Sequence, residues 1–207
     1  MEVRVGKAEL RRSIISARAG LPDQSGSASA IRETLLDRPW VQMAGLVACY
    51  WSMGTEPATH GLVFALWKHG ATVLLPVLRP DLDLDWAVYD GPDSLAPGPR
   101  GHLEPVDTRR GVDAIRTAAL VIVPALAVDR VTGVRLGRGG GSYDRALARV
   151  GPNVPTVALL HEGELVEGVP AEPHDRPVAM AALPSGIVTF AGPPGAGSPA
   201  RPARRSW

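Results

Sequence analysis

Apolar residues recur along this chain with two periods, and the alternation between them outlines a fold. In KAELRRSIISARAG (7–20), Leu10, Ile14 and Ala17 fall at helical spacing, and Gly20-Leu21-Pro22 ends the pattern. Lys7, Arg11 and Arg18 share another side of that helix, because steps of four and seven return to one face. Ser29 to Asp37 reads as a second helix, with Pro39 behind it. GLVACYW (45–51) is a short apolar run fit for a buried strand, and SMGTEPAT turns from it into the helix GLVFALWKHG (61–70), capped by Gly70. TVLLPVL (72–78) is the next strand, and LDWAVYD (84–90) alternates as a half-exposed one.

Residues 91–111 are rich in Pro and Gly and predict a long surface loop. AALVIVP (118–124) is the most strand-like stretch, YDRALARVG (143–151) reads as a helix, and VPTVALL (154–160) and GIVTF (186–190) add two strands. Strands alternating with helices place the chain in the α/β class. The expected architecture is a single three-layer α/β/α domain over residues 1–190, with a mainly parallel sheet covered on both faces. The tail AGPPGAGSPARPARRSW (191–207) is low-complexity and predicts disorder.

Composition narrows the function classes. The 207 residues suffice for one sizeable core, and 45% hydrophobic with 21% charged residues is ordinary for a globular protein. A net charge of +1 creates no overall field for nucleic acid or membrane. The single cysteine, Cys49, excludes an internal disulfide and fits a reducing cytoplasm. MEVRVGKAELRRSI lacks the apolar region of a signal peptide, and no apolar run approaches the ~20 residues of a membrane span. These features predict a soluble, cytoplasmic protein.

The chemistry concentrates in GVRLGRGGGSYDR, residues 133–145, with five glycines and three arginines in thirteen positions. Glycines raise the entropy cost of ordering a loop, and clustered arginines repel unless an anion lies among them. A polyphosphate resolves both, since glycine amides approach phosphate oxygens closely. A phosphate loop of the Gly-Lys-Ser/Thr type is excluded, because the stretch holds no lysine. A dinucleotide fingerprint from Gly137 and Gly139 would need glycine at Ser142, and the acidic residue it requires further on is absent from ALL (158–160). The alternative is a flexible loop with solvated arginines.

Arg135-Leu136-Gly137, a basic residue, a glycine cluster and Tyr143-Asp144-Arg145 together resemble the 5-formyltetrahydrofolate cyclo-ligase family, also called 5,10-methenyltetrahydrofolate synthetases. Three further segments agree in order: Lys7-Ala8-Glu9-Leu10-Arg11, the loop Trp51 to Glu56, and PAEPHD (170–175). The resemblance implies a NagB/RpiA-like α/β/α architecture and a monomer. The implied reaction is conversion of 5-formyltetrahydrofolate into 5,10-methenyltetrahydrofolate with ATP and Mg²⁺, by phosphorylation of the formyl oxygen and ring closure by N10.

By the same resemblance, Lys7 and Arg11 reach the ATP phosphates, and Arg135, Leu136, Gly137, Arg138, Gly139, Gly140, Gly141, Ser142 and Tyr143 wrap them. Asp144 and Asp175 match its magnesium carboxylates; on residue chemistry alone they are also a helix N-terminal acid and a turn residue. Glu56 matches an acid that binds the pterin ring, and Trp51 a bulky pocket position that core packing explains equally. Arg138 and Ser142 border the substrate. The chain departs from the pattern at Ser142, where many members carry tyrosine, and at HEGEL (161–165), where Glu164 replaces Gln.

Other candidates are weaker. Cys49 could act as a nucleophile, but no His or Asp sits in a partner motif. The five histidines lack zinc spacing. Asp81, Asp83 and Asp85 alternate without the glycine and distal glutamate of a calcium loop. Three function classes remain: the ATP-dependent cyclo-ligase, a sugar-phosphate isomerase needing no ATP, and a non-catalytic nucleotide or folate binder.

Overall fold

The computed structural model describes residues 6–98 and 101–190. The helices are α1 (Lys7–Ala19), α2 (Ser25–Leu36), α3 (Pro39–Gln42), α4 (His60–Lys68) and α5 (Ser142–Leu147). The strands are β1 (Leu46–Ala48), β2 (Thr72–Leu78), β3 (Leu84–Tyr89), β4 (Leu95–Pro97), β5 (Leu103–Pro105), β6 (Leu120–Pro124), β7 (Ala127–Asp129), β8 (Arg135–Leu136), β9 (Thr156–Leu159), β10 (Leu165–Val166), β11 (Met180–Leu183) and β12 (Gly186–Thr189). Seven strands form the central sheet in the order β12-β11-β9-β6-β1-β2-β3. Its five middle strands run parallel, and β3 and β12 close the edges antiparallel.

Alternation within the strands builds three layers. Leu120 and Ile122 point to the face covered by α2, α3 and α4, where Ile31, Leu35, Val41, Leu62, Val63 and Leu66 pack. Val121 and Val123, their immediate neighbours, point to the other face, against Ile115 and Ala118 and against Ala146 and Leu147 of α5. Strands buried on both sides read as unbroken apolar runs, which is why AALVIVP stood out. The α/β class and mainly parallel sheet expected from the sequence are found.

Several local expectations need correction. LDWAVYD is buried at nearly every position of β3, because Trp86 and Tyr89 fill opposite faces of the sheet. The segment 91–111 carries a 3₁₀ turn at Pro92–Ser94 and the β4–β5 hairpin. Under that hairpin the buried Glu104 accepts the Leu78 amide and pairs with His102. The glycine segment does not follow the parallel strand β6 directly. A small sheet intervenes, in which β7 and β8 form a hairpin and β10 joins β7.

That small sheet seats α1. Leu10 and Ile14 pack on Leu126, Ala127, Val134, Leu136 and Val169. Ala17, expected inward, is exposed, and Arg18 takes the buried position beside it. Among the described residues no helix is long and apolar enough to cross a membrane. The low-complexity tail expected at 191–207 lies outside the described residues.

Candidate active site

A cavity of about 570 Å³ opens at the C-terminal ends of β1, β2 and β6. Strand order reverses between β1 and β6, and open α/β sheets bind ligands at such switch points. Every residue assigned from the sequence to nucleotide, substrate or metal borders this cavity, from Lys7 and Arg11 through Trp51, Glu56 and 135–144 to Asp175.

The glycine loop is braced rather than loose. Arg11 Nε donates to the Gly137 carbonyl at 2.8 Å, and Arg145 donates to the carbonyls of Gly140 and Leu82. Three glycines of the segment are demanded by backbone conformation: Gly133 has φ +71°, Gly139 has φ +105° and Gly141, preceding α5, has φ +66°. A side chain at Gly141 would also lie 3.1 Å from Arg145 Nη1, whereas one at Gly140 meets only Ser142 Oγ at 3.5 Å. We expect Gly141→Ala to cost about 1–2 kcal/mol, lowering the thermal midpoint by about 2–8 °C. Gly140→Ala should leave the midpoint within about 2 °C in the same melt. Activity lost at Gly140 then reports on the ligand.

The clustered arginines have distinct jobs. Arg135 is buried, with Nη2 3.0 Å from Asp144 Oδ1 but out of hydrogen-bond alignment, and its Nε has no partner among the described residues. Burial pushes its guanidinium pKa down, and the charges of Asp144 and Asp175 only partly oppose that. A buried cation so incompletely compensated favours an arriving anion. Arg138 is half-exposed, with Nε 3.3 Å from the buried Glu56 carboxylate. The repulsion inferred from the sequence is thus relieved partly within the protein.

Glu56 is placed by a closed turn. Its carboxylate accepts the Met53 amide at 2.9 Å, while Ser52 and Thr59 exchange side-chain and backbone hydrogen bonds. His161 Nε2 contacts the Thr55 carbonyl at 2.9 Å and ties the same turn to the strand β9 side of the cavity. Trp51 stacks on His60, with centroids 4.2 Å apart. Tyr50 is buried and Tyr143 half-buried, and desolvation, followed by the charge of Glu56, holds both phenols well above their ordinary pKa.

The fourth wall joins the chain's ends. Lys7 Nζ lies 2.7 Å from both Asp175 and Glu172. Glu172, His174 and Asp175 form a donor cluster within 4.8 Å that could hold a cation. His174 and Glu172 were not singled out for this from the sequence; the signal available was their spacing in PAEPHD. Asp144 is not part of that cluster, since it faces Arg135 and accepts the Arg176 amide. Cys49 is fully buried off the cavity, and burial pushes its thiol up to about 12, so no thiolate nucleophile exists near neutral pH. The acidic run is spent on protein partners: Asp81 on Arg79, Asp83 on Arg149, and Asp85 on the Gly111 amide.

The model of the 5-formyltetrahydrofolate cyclo-ligase family matches residues 3–184, nearly all of the described chain. The chain belongs to this family. Among cyclo-ligase relatives, the 5-formyltetrahydrofolate cyclo-ligase of Mycolicibacterium smegmatis is 37% identical over 193 residues, covering 89% of this chain and 97% of the relative. That of Escherichia coli is 34% identical over 176 residues, covering 82% and 95%. The solved 5,10-methenyltetrahydrofolate synthetase of Aquifex aeolicus superposes with a TM-score of 0.76 at 24% identity, covering 88% of this chain and 92% of that one.

The Lys7 contacts set a pH window for the stability of the fourth wall. Burial works to raise the Asp175 pKa, but the hydrogen bonds from Lys7 and the Glu172 amide hold it below the ordinary value. Burial works to lower Lys7, and Asp175 and Glu172 raise it on balance. A depressed carboxylate stabilises the fold above its unfolded pKa of about 3.9, and that stability is lost as pH falls through the folded value. A raised ammonium stabilises below about 10.4 and fails as pH rises through its folded value. Wild type should therefore outlast Lys7→Met in thermal melts between about pH 4 and pH 10, with the gap closing outside that window.

Proposed function

We propose that this protein converts 5-formyltetrahydrofolate into 5,10-methenyltetrahydrofolate with ATP and Mg²⁺, releasing ADP and phosphate. The observation that carries this reading is a single cavity with two chemically different walls. One wall holds the glycine loop with the buried, under-partnered Arg135; the other holds Glu56 and Trp51. The first wall suits a triphosphate. The second suits a flat heterocycle whose amino group and ring N–H meet a carboxylate.

A formamide is a poor electrophile, and its oxygen is a poor leaving group. Transfer of the γ-phosphoryl group to the formyl oxygen, with ADP departing, turns that oxygen into a phosphate ester. The N10 lone pair then attacks the formyl carbon, the carbon–oxygen bond breaks to release inorganic phosphate, and N10 gives up its proton. Phosphoryl transfer asks a protein mainly for positioning and charge neutralisation. Arg135 and Arg138 supply the charge, and the amides of Gly139 to Gly141 supply donors. Lys7 would exchange its carboxylate partners for phosphate oxygens, and Arg11 holds the loop in shape.

The carboxylates of Glu172 and Asp175 suit a magnesium ion, which takes one or two protein carboxylates and completes its shell with phosphate oxygens and water. Asp144 borders the same cavity and would serve a bound ion only by loosening from Arg135. Such an ion neutralises charge building on the transferred phosphate. Purified protein given 5-formyltetrahydrofolate, MgATP and buffer should develop methenyl absorbance with one ADP per product. Turnover of sugar phosphates without ATP would favour an isomerase. Binding of both ligands without product would favour a non-catalytic binder.

A further inference from the structure

We propose that Arg18 is a further substrate-recognition residue, its Nη1 donating a hydrogen bond to the ring carbonyl oxygen of the folate's pterin. The inference rests on the folate reading above and names a contact that reading leaves open. Arg18 borders the cavity and is 3% exposed. Its Nε and Nη2 meet the two oxygens of Glu164 at 2.6 and 2.8 Å, and Nη2 also donates to the Ala125 carbonyl. Nη1 alone of its guanidinium nitrogens is buried without a hydrogen-bond partner among the described residues. A buried donor left unpaired is costly, so a native site that keeps one is completed by something that enters.

Charge selects what enters. Glu164 already neutralises the guanidinium, so Nη1 offers a directed hydrogen bond without net positive charge, which suits a neutral carbonyl better than a phosphate. Arg135, in contrast, keeps uncompensated charge on the glycine-loop wall. Position agrees as well. Glu164 accepts the His161 amide, and the His161 ring holds the Thr55 carbonyl next to Glu56. One turn therefore fixes both Arg18 and the Glu56 loop. A pterin edge presents amino, ring N–H and carbonyl in sequence; Glu56 can accept from the first two, and the third needs a buried donor.

The test measures calorimetric affinity of the full chain for 5-formyltetrahydrofolate, for its analogue with an amino group replacing the ring carbonyl, and for MgATP. In the Arg18→Met, Glu164→Gln double variant, affinity for the natural folate should fall about tenfold or more. Its preference over the amino analogue should shrink by a similar factor, while MgATP affinity stays within about twofold. Arg18→Lys, which keeps the pairing charge but removes the extra donor, should lose the same preference and serves where the double variant fails to fold. Equal losses for both folates, or no loss for either, would overturn the inference. Wild-type protein that binds MgATP but no folate would overturn the folate reading itself, and this inference with it.

Discussion

Arg135→Ala should lower kcat/KM for ATP by about a thousandfold, with folate affinity within about twofold of wild type. The guanidinium is 3% exposed and lies beside an Asp144 carboxylate that is 16% exposed. Removing it deletes a buried cation from the glycine-loop wall and would leave Asp144 facing incoming phosphates with its charge unopposed. Breaking a buried pair in this way costs about 3–5 kcal/mol, and each 1.4 kcal/mol is tenfold. Steady-state kinetics with ATP varied at saturating folate reads the loss. Unfolding of the variant, monitored alongside, separates a collapsed loop from a missing charge. ATP efficiency near wild type in a folded variant would remove Arg135 from the nucleotide site.

Glu56→Gln should raise KM for the folate about a hundredfold or more and leave KM for ATP unchanged. The carboxylate is held by the Met53 amide and Arg138, and its side chain is only 8% exposed. Glutamine keeps the shape and one acceptor, but turns a donor toward a substrate edge that already presents donors. A site built to pair buried polar groups discriminates strongly when one is mismatched, and two charge-assisted bonds contribute roughly 3 kcal/mol or more. Folate-varied kinetics checks this. Parallel losses for ATP and folate would mean that the change disturbs the cavity as a whole.

The parts of this site that were legible in the sequence are those fixed locally. Gly139 and Gly141 announce themselves because their backbone conformations exclude most other residues. The strands β2, β6 and β9 were visible because burial on both faces writes an apolar run. Lys7 and Arg11 could be placed on one helical face by spacing alone. What stayed hidden depends on distant partners. Spacing grouped Arg18 with Lys7 and Arg11, but nothing in residues 7–20 says that it is buried while Ala17 is exposed, since Glu164, its partner, is 146 positions away. The β7–β8 hairpin was missed because two- and three-residue strands leave no periodic signal. The hairpin in 91–111 was hidden by its prolines, and its buried Glu104 looked like any loop acid. Asp144 and Asp175 were grouped by motif, but the fold pairs one with Arg135 and the other with Lys7.

The account as a whole requires nucleotide and folate to occupy one cavity together, close enough for direct transfer between them. Substrate carrying ¹⁸O in its formyl group, turned over with unlabelled ATP in ordinary water, tests this most directly. The inorganic phosphate released should carry one ¹⁸O per methenyl product. Unlabelled phosphate, with the heavy oxygen recovered in water instead, would contradict it.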